Sequence, residues 1–363
     1  MKLFLINGAP RASGYTADIV RLFCQGASSA GATVDVADLR DLSVHPCRGC
    51  YRCWRPESPG KCVIRDDMAN LIDRYLESDV IVFASPLYFY SFSALMKSFI
   101  DRLFAILCPK LEQGEGPKMV HHALRRPKQG PTRCALLVVS GHRDHAVLDG
   151  LRPTFSLIAD ALHIEWAGTL FRPESFFLDF GVSRETLIRK IEAAIEKAGQ
   201  ELVTEGRISQ ETFDTAALPI SKSIENFCEQ TAGFWNVASE GGHDISNRET
   251  LRAAVLKDLR IVMPAIADCF DSNIAGDLSA VINFDISNSA FGAWHFEIEK
   301  GCCRCSPSLH PTPTTTIKTA LETWIGILKN QQDARVAISR KQLTIMGDMR
   351  LFMRFPRLFP GSS

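Results

Sequence analysis

The first sixteen residues, MKLFLINGAPRASGYT, constrain the fold of this chain more than any other stretch. The apolar run from Leu3 to Ile6 predicts a strand that is buried on both faces, as in a parallel sheet. Small residues follow from Gly8 and lead into a helix that begins near Thr16. Backbone N–H groups, hydroxyls and a guanidinium in such a loop can hold an anion at the positive end of the helix. The stretch therefore predicts a phosphate-binding loop.

Other phosphate-binding loops have different sequence motifs, and none of them occurs here. The chain contains neither the G-x-x-x-x-G-K-[ST] P-loop nor the G-x-G-x-x-G dinucleotide fingerprint. No cysteine has an arginine six positions later, which excludes a Cys-x5-Arg phosphatase loop. The alternative is an ordinary turn in which Ser13 or Thr16 caps the helix.

Length and charge narrow the class of protein. At 363 residues the chain exceeds one typical core, so two domains are expected. The 41 basic and 41 acidic residues balance, which argues against binding to nucleic acid or to a membrane surface through bulk charge.

The 12 cysteines occur without a secretory leader pattern and predict a reducing, cytoplasmic location. The uncharged run from Val80 to Met96 contains Pro86, so we expect no membrane span.

Strands and helices alternate over the N-terminal half of the chain. Further strands are predicted at 33–36, 80–84, 134–139 and 164–170, and helices at 93–107, 147–162 and 183–202. This α/β alternation predicts a doubly wound, five-stranded parallel sheet whose ligand lies beyond the carboxyl ends of the strands. The segment 109–131, rich in glycine and proline, interrupts the pattern and is interpreted as a lid, a dimer contact or a surface insertion.

The pattern changes near the C-terminus. Apolar and polar residues alternate at 282–286 and again at 294–298, which predicts an antiparallel hairpin with one buried face. Thr319 and Glu322 have the spacing of a capping box at the start of a helix. The expected segments are an N-terminal domain over 1–204, a helical tail and linker over 205–246, and a smaller α+β domain over 247–359.

A second loop follows the third predicted strand. Ser85-Pro86-Leu87-Tyr88-Phe89-Tyr90 supplies backbone donors and aromatic rings at the edge where a flat heterocycle would lie. The stretch from Ser93 to Arg102 continues this loop with a helix. The two loops resemble the G-x-P-R-x-x-S-x-x-T and S-P-x-Y-x-x-S…S-x-x-L-K-x-x-I-D-R patterns of the flavodoxin-like NAD(P)H-dependent FMN reductases.

That resemblance implies a flavodoxin-like sheet, bound FMN and NAD(P)H as co-substrate. The cofactor would carry the hydride and electron chemistry, so no side chain is assigned a catalytic role. A third loop, Ser140-Gly141-His142-Arg143, would flank the flavin ring, although His142 is alternatively a solvated loop residue. The implied FMN-binding residues are Ala9, Pro10, Arg11, Ser13, Gly14, Tyr15, Thr16, Ser85, Pro86, Leu87, Tyr88, Phe89, Tyr90, Gly141 and His142.

Four cysteines form a compact motif, Cys47-x2-Cys50-x2-Cys53-x8-Cys62. Four thiolates at such spacing can hold a cubane cluster or a zinc ion. The motif resembles that of the iron–sulfur flavoproteins, in which the last gap is shorter, and this resemblance implies a [4Fe–4S] cluster. The alternative is that Cys62 is only a packed thiol.

Near the C-terminus, Trp324 and the segment LTIMGDM at 343–349 resemble the sterol-carrier-protein domain. The resemblance implies a tunnel for a lipid-like or quinone-like molecule. Met349, Phe352 and Met353 would add flexible apolar side chains to that interior. Alternatively, they fill a core.

The combined expectation is a cytoplasmic NAD(P)H-dependent flavin oxidoreductase. Bound FMN would take electrons from reduced nicotinamide and pass them to a small, apolar acceptor, in a homodimer or higher homo-oligomer without a nucleic-acid partner. One alternative is an iron–sulfur flavoprotein in ferredoxin-linked electron transfer. Another is a lipid-binding protein with a non-catalytic flavin domain.

Overall fold

The computed structural model describes residues 1–113, 120–127, 129–180, 184–240, 247–329 and 331–360. The chain divides into two compact units. The first unit contains Met1–Ser175 and Lys190–Pro219, and the second contains Phe176–Arg189 and Ile220–Ser363. The domain boundaries expected at residues 204 and 246 stay predictions.

Strands and helices alternate along the first unit. In chain order they are β1 (Lys2–Asn7), α1 (Tyr15–Ser29), β2 (Thr33–Asp38), α2 (Met68–Leu76), β3 (Val80–Pro86), α3 (Ala94–Arg102), β4 (Leu107–Gln113), β5 (Val120–Leu124), β6 (Arg133–Val139), α4 (Leu151–Ala161) and β7 (Glu165–Arg172). The next helices along the chain are α5 (Phe177–Phe180), α6 (Glu185–Thr204) and α7 (Gln210–Ala216).

Five parallel strands form the central sheet of the first unit in the order β2-β1-β3-β6-β7. This is the flavodoxin-like strand order, and it confirms the predicted doubly wound sheet. Every residue of β3 is buried, as expected for a strand covered on both faces. Because the strands are parallel, the loops after β1, β3, β6 and β7 leave the sheet at the same edge. The three loops singled out in the sequence therefore share that edge.

Two helices of this unit are shorter than predicted. Helix α3 ends before a 3-10 turn at Leu103–Ile106, so the helix expected over 93–107 is too long. Pro109 disfavours a helical conformation at the residue before it, and the chain has already become strand β4 there. The helix expected over 147–162 begins only at Leu151.

The segment 109–131, which interrupts the alternation of strands and helices, contributes to two strands. Strands β4 and β5 pair as an antiparallel hairpin, and residues 114–119 between them lie outside the described residues. Whether this hairpin acts as a lid or as a dimer contact stays a prediction.

The second unit contains a mixed sheet with helices. Its elements after α7 are α8 (Ile224–Glu240), α9 (Arg248–Lys257), α10 (Leu259–Ala267), α11 (Ser272–Ala275), β8 (Ala280–Ser287), β9 (Ala293–Glu299), β10 (Cys302–Ser306), β11 (Thr315–Ala320), α12 (Leu321–Leu328), α13 (Ala334–Ser339), β12 (Leu343–Gly347) and α14 (Met349–Leu358). Residues 241–246 of the expected linker lie outside the described residues.

The strand order of this second sheet is β10-β9-β8-β11-β12. Strands β8 and β11 are parallel and the other neighbours are antiparallel. The predicted hairpin is confirmed as β8 and β9, with Phe284 opposite Trp294. In neither unit does a described helix combine the length and the apolar character needed to cross a membrane.

Two expectations about the second unit are wrong. Thr319 lies in β11, and its hydroxyl donates to the Gln342 carbonyl oxygen at 2.9 Å instead of capping α12. Met349 and Met353 are about half exposed, so they do not line an apolar interior. The core of this unit instead combines aliphatic side chains such as Ile282 with aromatic rings such as Phe284 on the buried face of the sheet.

Candidate functional site

A buried asparagine holds the start of the first loop. Asn7 ends β1, and its side-chain amide donates to Asp38 Oδ1 at 2.7 Å. Its side-chain oxygen accepts from the Ala9 backbone N–H at 3.0 Å, which closes an Asx turn. These bonds fix the direction in which the loop leaves the sheet. Asn7 was not among the predicted site residues, although an asparagine at the end of a strand is a signal for such a turn.

The first loop ends at the N-terminus of α1, where Gly14 is the N-cap. A Cβ built on Gly14 would lie 3.5 Å from Arg11 Cβ and 3.8 Å from Arg11 Nε, so the Arg11 side chain lies beside this helix end. A helix N-terminus with an adjacent guanidinium attracts a phosphate group. Two other predicted residues of this loop, Ala9 and Thr16, are buried. Tyr15 is half-buried, and Pro10 and Ser13 are exposed.

A hydrogen bond ties the second loop to the first. The Ser93 hydroxyl donates to the Gly8 carbonyl oxygen at 2.7 Å and accepts from the Met96 backbone N–H at 3.2 Å. The second bond caps the N-terminus of α3. A Cβ at Gly8 would come within 2.8 Å of Met96 Cβ, so only glycine allows this approach of the loop to α3.

The second loop forms a strained aromatic turn. Tyr88 and Ser91 exchange two backbone hydrogen bonds of 3.0 Å. Phe89 and Tyr90 both have left-handed backbones, with φ of 48° and 63°, as in a type I′ turn. This conformation costs a bulky residue about 1–2 kcal/mol. Since the Phe89 ring is also 98% exposed, the turn indicates a functional role and not a packing role.

Ser85 and Leu87 of this loop form hydrogen bonds within the protein. The Ser85 hydroxyl donates to the Pro86 carbonyl oxygen at 2.9 Å and accepts from the Ser93 backbone N–H at 3.0 Å. The Leu87 N–H donates to the Val139 carbonyl oxygen, which extends the pairing of β3 with β6. These residues therefore brace the aromatic turn, and their predicted contact with the cofactor stays a prediction.

The third loop lies against the aromatic turn. The His142 ring stacks on Tyr90 with centroids 6.1 Å apart and planes inclined by 20°. The Ser140 hydroxyl accepts from the His142 N–H at 3.0 Å. The Glu174 N–H donates to the His142 carbonyl oxygen at 2.9 Å, and its fully buried carboxylate pairs with Arg143 at 3.2 Å. The loop after β7 thus supports the third loop, which the sequence pattern did not reveal.

The groups at this edge fit FMN. The first loop offers a helix N-terminus and Arg11 for a phosphate, while Tyr88, Phe89 and Tyr90 offer exposed faces for a flat ring. His142 and the exposed Gly141 lie on the neighbouring loop. The individual contacts to FMN stay predictions.

The cysteine motif lies in the long connection between β2 and α2. Cys47 and Cys50 are exposed, and Cys53 and Cys62 are half-buried. The Gly49 N–H donates to Cys47 Sγ at 3.5 Å. Burial raises the pKa of Cys53, and the neighbouring sulfurs of the motif raise it further. Among the described residues no three His, Cys, Asp or Glu side chains are placed to hold a metal ion.

A buried ion pair anchors this connection to α3. The Arg102 guanidinium donates to both Asp66 oxygens at 2.8 and 2.9 Å, and both side chains are almost fully buried. Burial alone would raise the pKa of Asp66, but the Arg102 guanidinium and the His45 N–H lower it to about 2. Ser93 caps the start of α3 and Arg102 ends it, so this helix links the connection that carries the cysteine motif with the first two loops.

Comparison with known proteins separates the same two regions. Residues 1–166 match the NADPH-dependent FMN reductase family, and residues 271–360 match the SCP-2 sterol transfer family. An iron–sulfur flavoprotein of Methanocaldococcus jannaschii is 35% identical over 102 residues, which cover 28% of this chain and 51% of that protein. An iron–sulfur flavoprotein of Archaeoglobus fulgidus is 34% identical over 103 residues, which cover 28% and 46%. The chain thus spans about half the length of these curated relatives.

Solved structures also resemble part of this chain. The NAD(P)H:quinone oxidoreductase from Methanothermobacter marburgensis has a TM-score of 0.41 and 17% identity, and the match covers 56% of this chain and 96% of that one. The family matches agree with the flavodoxin-like sheet and with the mixed sheet described above. The chain therefore carries a domain of the NADPH-dependent FMN reductase family at its N-terminus, similar to iron–sulfur flavoproteins, and a domain of the SCP-2 sterol transfer family at its C-terminus.

Proposed function

We propose that the first unit binds FMN and works as an NAD(P)H-dependent oxidoreductase that reduces a small, apolar acceptor. The observation that carries this proposal is the Ser93–Gly8 hydrogen bond, which joins the first loop to the start of α3, two residues after the aromatic turn. When bound, FMN supplies the hydride and electron chemistry. The family match of residues 1–166 supports the same chemistry.

In this proposal the residues of the chain bind FMN and orient it. Arg11 and the N-terminus of α1 hold the phosphate through charge. Tyr88, Phe89 and Tyr90 present ring faces to the flavin or to the flat molecules that exchange electrons with it. The ion pair of Arg143 with buried Glu174 keeps the third loop in place.

FMN titration of the Arg11→Ala, Ser13→Ala double variant tests the binding site. Loss of each hydrogen bond is worth about 0.5–3 kcal/mol, so we expect FMN affinity to fall at least severalfold. Arg21→Ala removes an exposed arginine elsewhere on α1 and serves as the control. Unchanged FMN affinity in the double variant contradicts the assignment of the phosphate loop.

Stopped-flow mixing tests the reaction. We expect NADPH or NADH to bleach the absorbance of the FMN-loaded protein. If neither nicotinamide reduces the flavin but a reduced ferredoxin does, the oxidoreductase proposal is replaced by ferredoxin-linked electron transfer.

A second candidate function follows from the cysteine motif. Four cysteines stand within sixteen residues, from Cys47 to Cys62, and soft thiol donors suit a [4Fe–4S] cluster better than a hard cation. The names of the relatives point the same way. The thiols are not gathered into a ligand set, so we derive no electron path through a cluster. Iron and acid-labile sulfide, assayed after anaerobic purification, support a cluster, whereas zinc without sulfide indicates a structural site.

The second unit is proposed to bind a lipid-like or quinone-like molecule. Its SCP-2 match supports a lipid ligand. The Trp324 side chain is buried in the core of this unit, and its Nε1–H has no hydrogen-bond partner among the described residues. A buried donor of this kind is satisfied by a ligand that carries one polar oxygen. Cytoplasmic location and homo-oligomeric assembly stay predictions.

Native mass spectrometry of the full chain tests this ligand. We expect a bound apolar compound that organic extraction removes. Trp324→Phe keeps the aromatic ring and removes the donor, so it should lower retention of the compound without lowering FMN content. Absence of any apolar compound from the wild-type chain, together with failure to take up added fatty acid, sterol or quinone, contradicts the proposal.

A further inference from the structure

The first unit contains a cavity that none of the three loops lines. It has a volume of about 450 Å³, which is the size of many small-molecule sites. Its walls come from the end of the cysteine motif, from α2, from the C-terminal end of α3, and from the stretch between β5 and β6. Neither the flavin assignment nor the family matches explain it.

The inner wall of this cavity is apolar. Side chains from four different parts of the chain contribute to it, and three of the six are buried while the other three are half-buried. They are Ile72, Tyr75, Leu76, Ile106, Leu124 and Leu162. An apolar body of a ligand would therefore be favoured here by burial.

Charge around the cavity is mainly positive. The cationic residues lining it are Lys61, Arg102, Arg125 and Arg126, and the acidic one is Asp73. Arg102 is already neutralised by Asp66, which lies outside the cavity lining. Without Arg102, the described residues that line the cavity still include three cations and one carboxylate. An anion is therefore the preferred occupant.

Two of these arginines carry an unused donor. The Nε atoms of Arg102 and Arg125 are buried and have no hydrogen-bond partner among the described residues. The Arg102 residue is only 3% exposed. A Cβ built on Gly60 would lie 3.2 Å from Arg125 Nε, so the glycine leaves room for the guanidinium to pack here. Leaving such a charged donor unpaired is costly, and an acceptor within the cavity removes that cost.

We propose that this cavity is a binding site for a monocarboxylate with an aryl or short alkyl body. The carboxylate accepts from the unused guanidinium donors and benefits from the positive rim, while the body packs on the apolar wall. An inorganic anion would use only the rim, and an uncharged apolar molecule would use only the wall. The site is separate from the proposed flavin function, because none of its lining residues belongs to the three loops.

Isothermal titration of the full chain with phenylbutyrate tests the proposal. We expect saturable binding, with phenylbutanol and acetate each binding at least about tenfold more weakly because each lacks one of the two interactions. Equal binding of acetate shows a simple anion site, and equal binding of phenylbutanol shows a merely apolar cavity. Either result overturns the proposal, as does failure of phenylbutyrate to bind.

Three variants locate the binding. Ile72→Trp fills the cavity and should abolish binding, while Arg126→Glu reverses an exposed charge at the rim and should weaken it about tenfold without disturbing the fold. Arg207→Glu reverses an exposed charge that does not line the cavity and should bind as the wild type does. Unchanged phenylbutyrate affinity in Arg126→Glu places the ligand elsewhere in the chain and overturns the proposal, even if Ile72→Trp fails to fold. FMN content should stay equal in Arg126→Glu and the wild type, which separates this outcome from failure of the flavin assignment.

Discussion

The Ser93 hydroxyl donates to the Gly8 carbonyl oxygen at 2.7 Å, although the two residues are 85 positions apart. The same oxygen caps α3 by accepting from the Met96 N–H. One buried side chain therefore positions both the start of a helix and the first of the three loops. The arrangement explains why position 8 must be glycine, since any side chain there would collide with α3.

Ser93→Ala should loosen both loops at once. Loss of the cap costs about 0.5–2 kcal/mol, and loss of the bond to Gly8 leaves a buried carbonyl oxygen unpaired. We expect a lower free energy of unfolding and an FMN affinity that falls roughly tenfold, measured by urea denaturation and FMN titration. Ser98→Ala changes a half-buried serine inside α3 and is the matched control. FMN affinity that equals that of the control would show that this bond does not organise the site.

Phe89→Gly should raise stability and lower activity together. Glycine adopts the left-handed backbone of this turn without the cost of about 1 kcal/mol that a bulky residue bears. Removal of the exposed ring should reduce kcat/KM for an aromatic acceptor by roughly 2–10-fold, as expected from the energy of one aromatic contact. Urea unfolding and steady-state NADPH oxidation measure the two effects.

Lys300→Gly is the control for Phe89→Gly. Lys300 also has a left-handed backbone, in the second unit, and its replacement by glycine should leave kcat/KM unchanged. If Phe89→Gly keeps full activity, the exposed ring does not contact any molecule that takes part in turnover.

Glu201 should make stability depend on acid pH. Burial raises the pKa of Glu201, but hydrogen bonds from the Ser209 N–H, the Thr212 hydroxyl and the Ser209 hydroxyl lower it below its ordinary value. A carboxylate with a lowered pKa stabilises the fold fully above the ordinary value of about 4.3, and this stability is lost as the pH falls below it. Glu201→Gln should therefore cost about 1–3 kcal/mol at neutral pH and progressively less in acid.

Urea unfolding over a range of pH measures this dependence. Glu205→Gln changes an exposed glutamate just beyond the same helix and should follow the wild type throughout. A wild-type advantage over Glu201→Gln that stays constant into acid would show that the pKa of Glu201 is not lowered.

Two substitutions on α14 should differ strongly in their effect on stability. Met353 is 54% exposed, so Met353→Glu should change the free energy of unfolding by less than about 0.5 kcal/mol. Phe355 is buried against Phe359, with ring centroids 4.6 Å apart, so Phe355→Ala should cost about 3–5 kcal/mol. Urea unfolding followed by tryptophan fluorescence gives both values. A large loss for Met353→Glu would mean that this methionine is part of the interior after all.

Local patterns in the sequence were sufficient for the five strands of the first sheet and for the β8–β9 hairpin of the second. The apolar run that became β3 and the alternation that became β8 and β9 predict strands because burial on two faces or on one face dictates their period. The loop from Gly8 to Thr16 was also recognisable, since a strand, a small-residue loop and a helix stand in one short stretch. Such features depend on neighbours along the chain.

Tertiary structure decided what depends on residues far apart. Thr319 has the spacing of a capping box, yet its hydroxyl bonds to Gln342 because β11 places it beside that carbonyl. The bond from Ser93 to Gly8 and the unused guanidinium donors around the cavity of the first unit likewise arise only when distant segments pack together. Spacing along the chain reports which conformation a segment prefers. Partners across the fold are set by close packing, in which the position of each side chain depends on the elements around it.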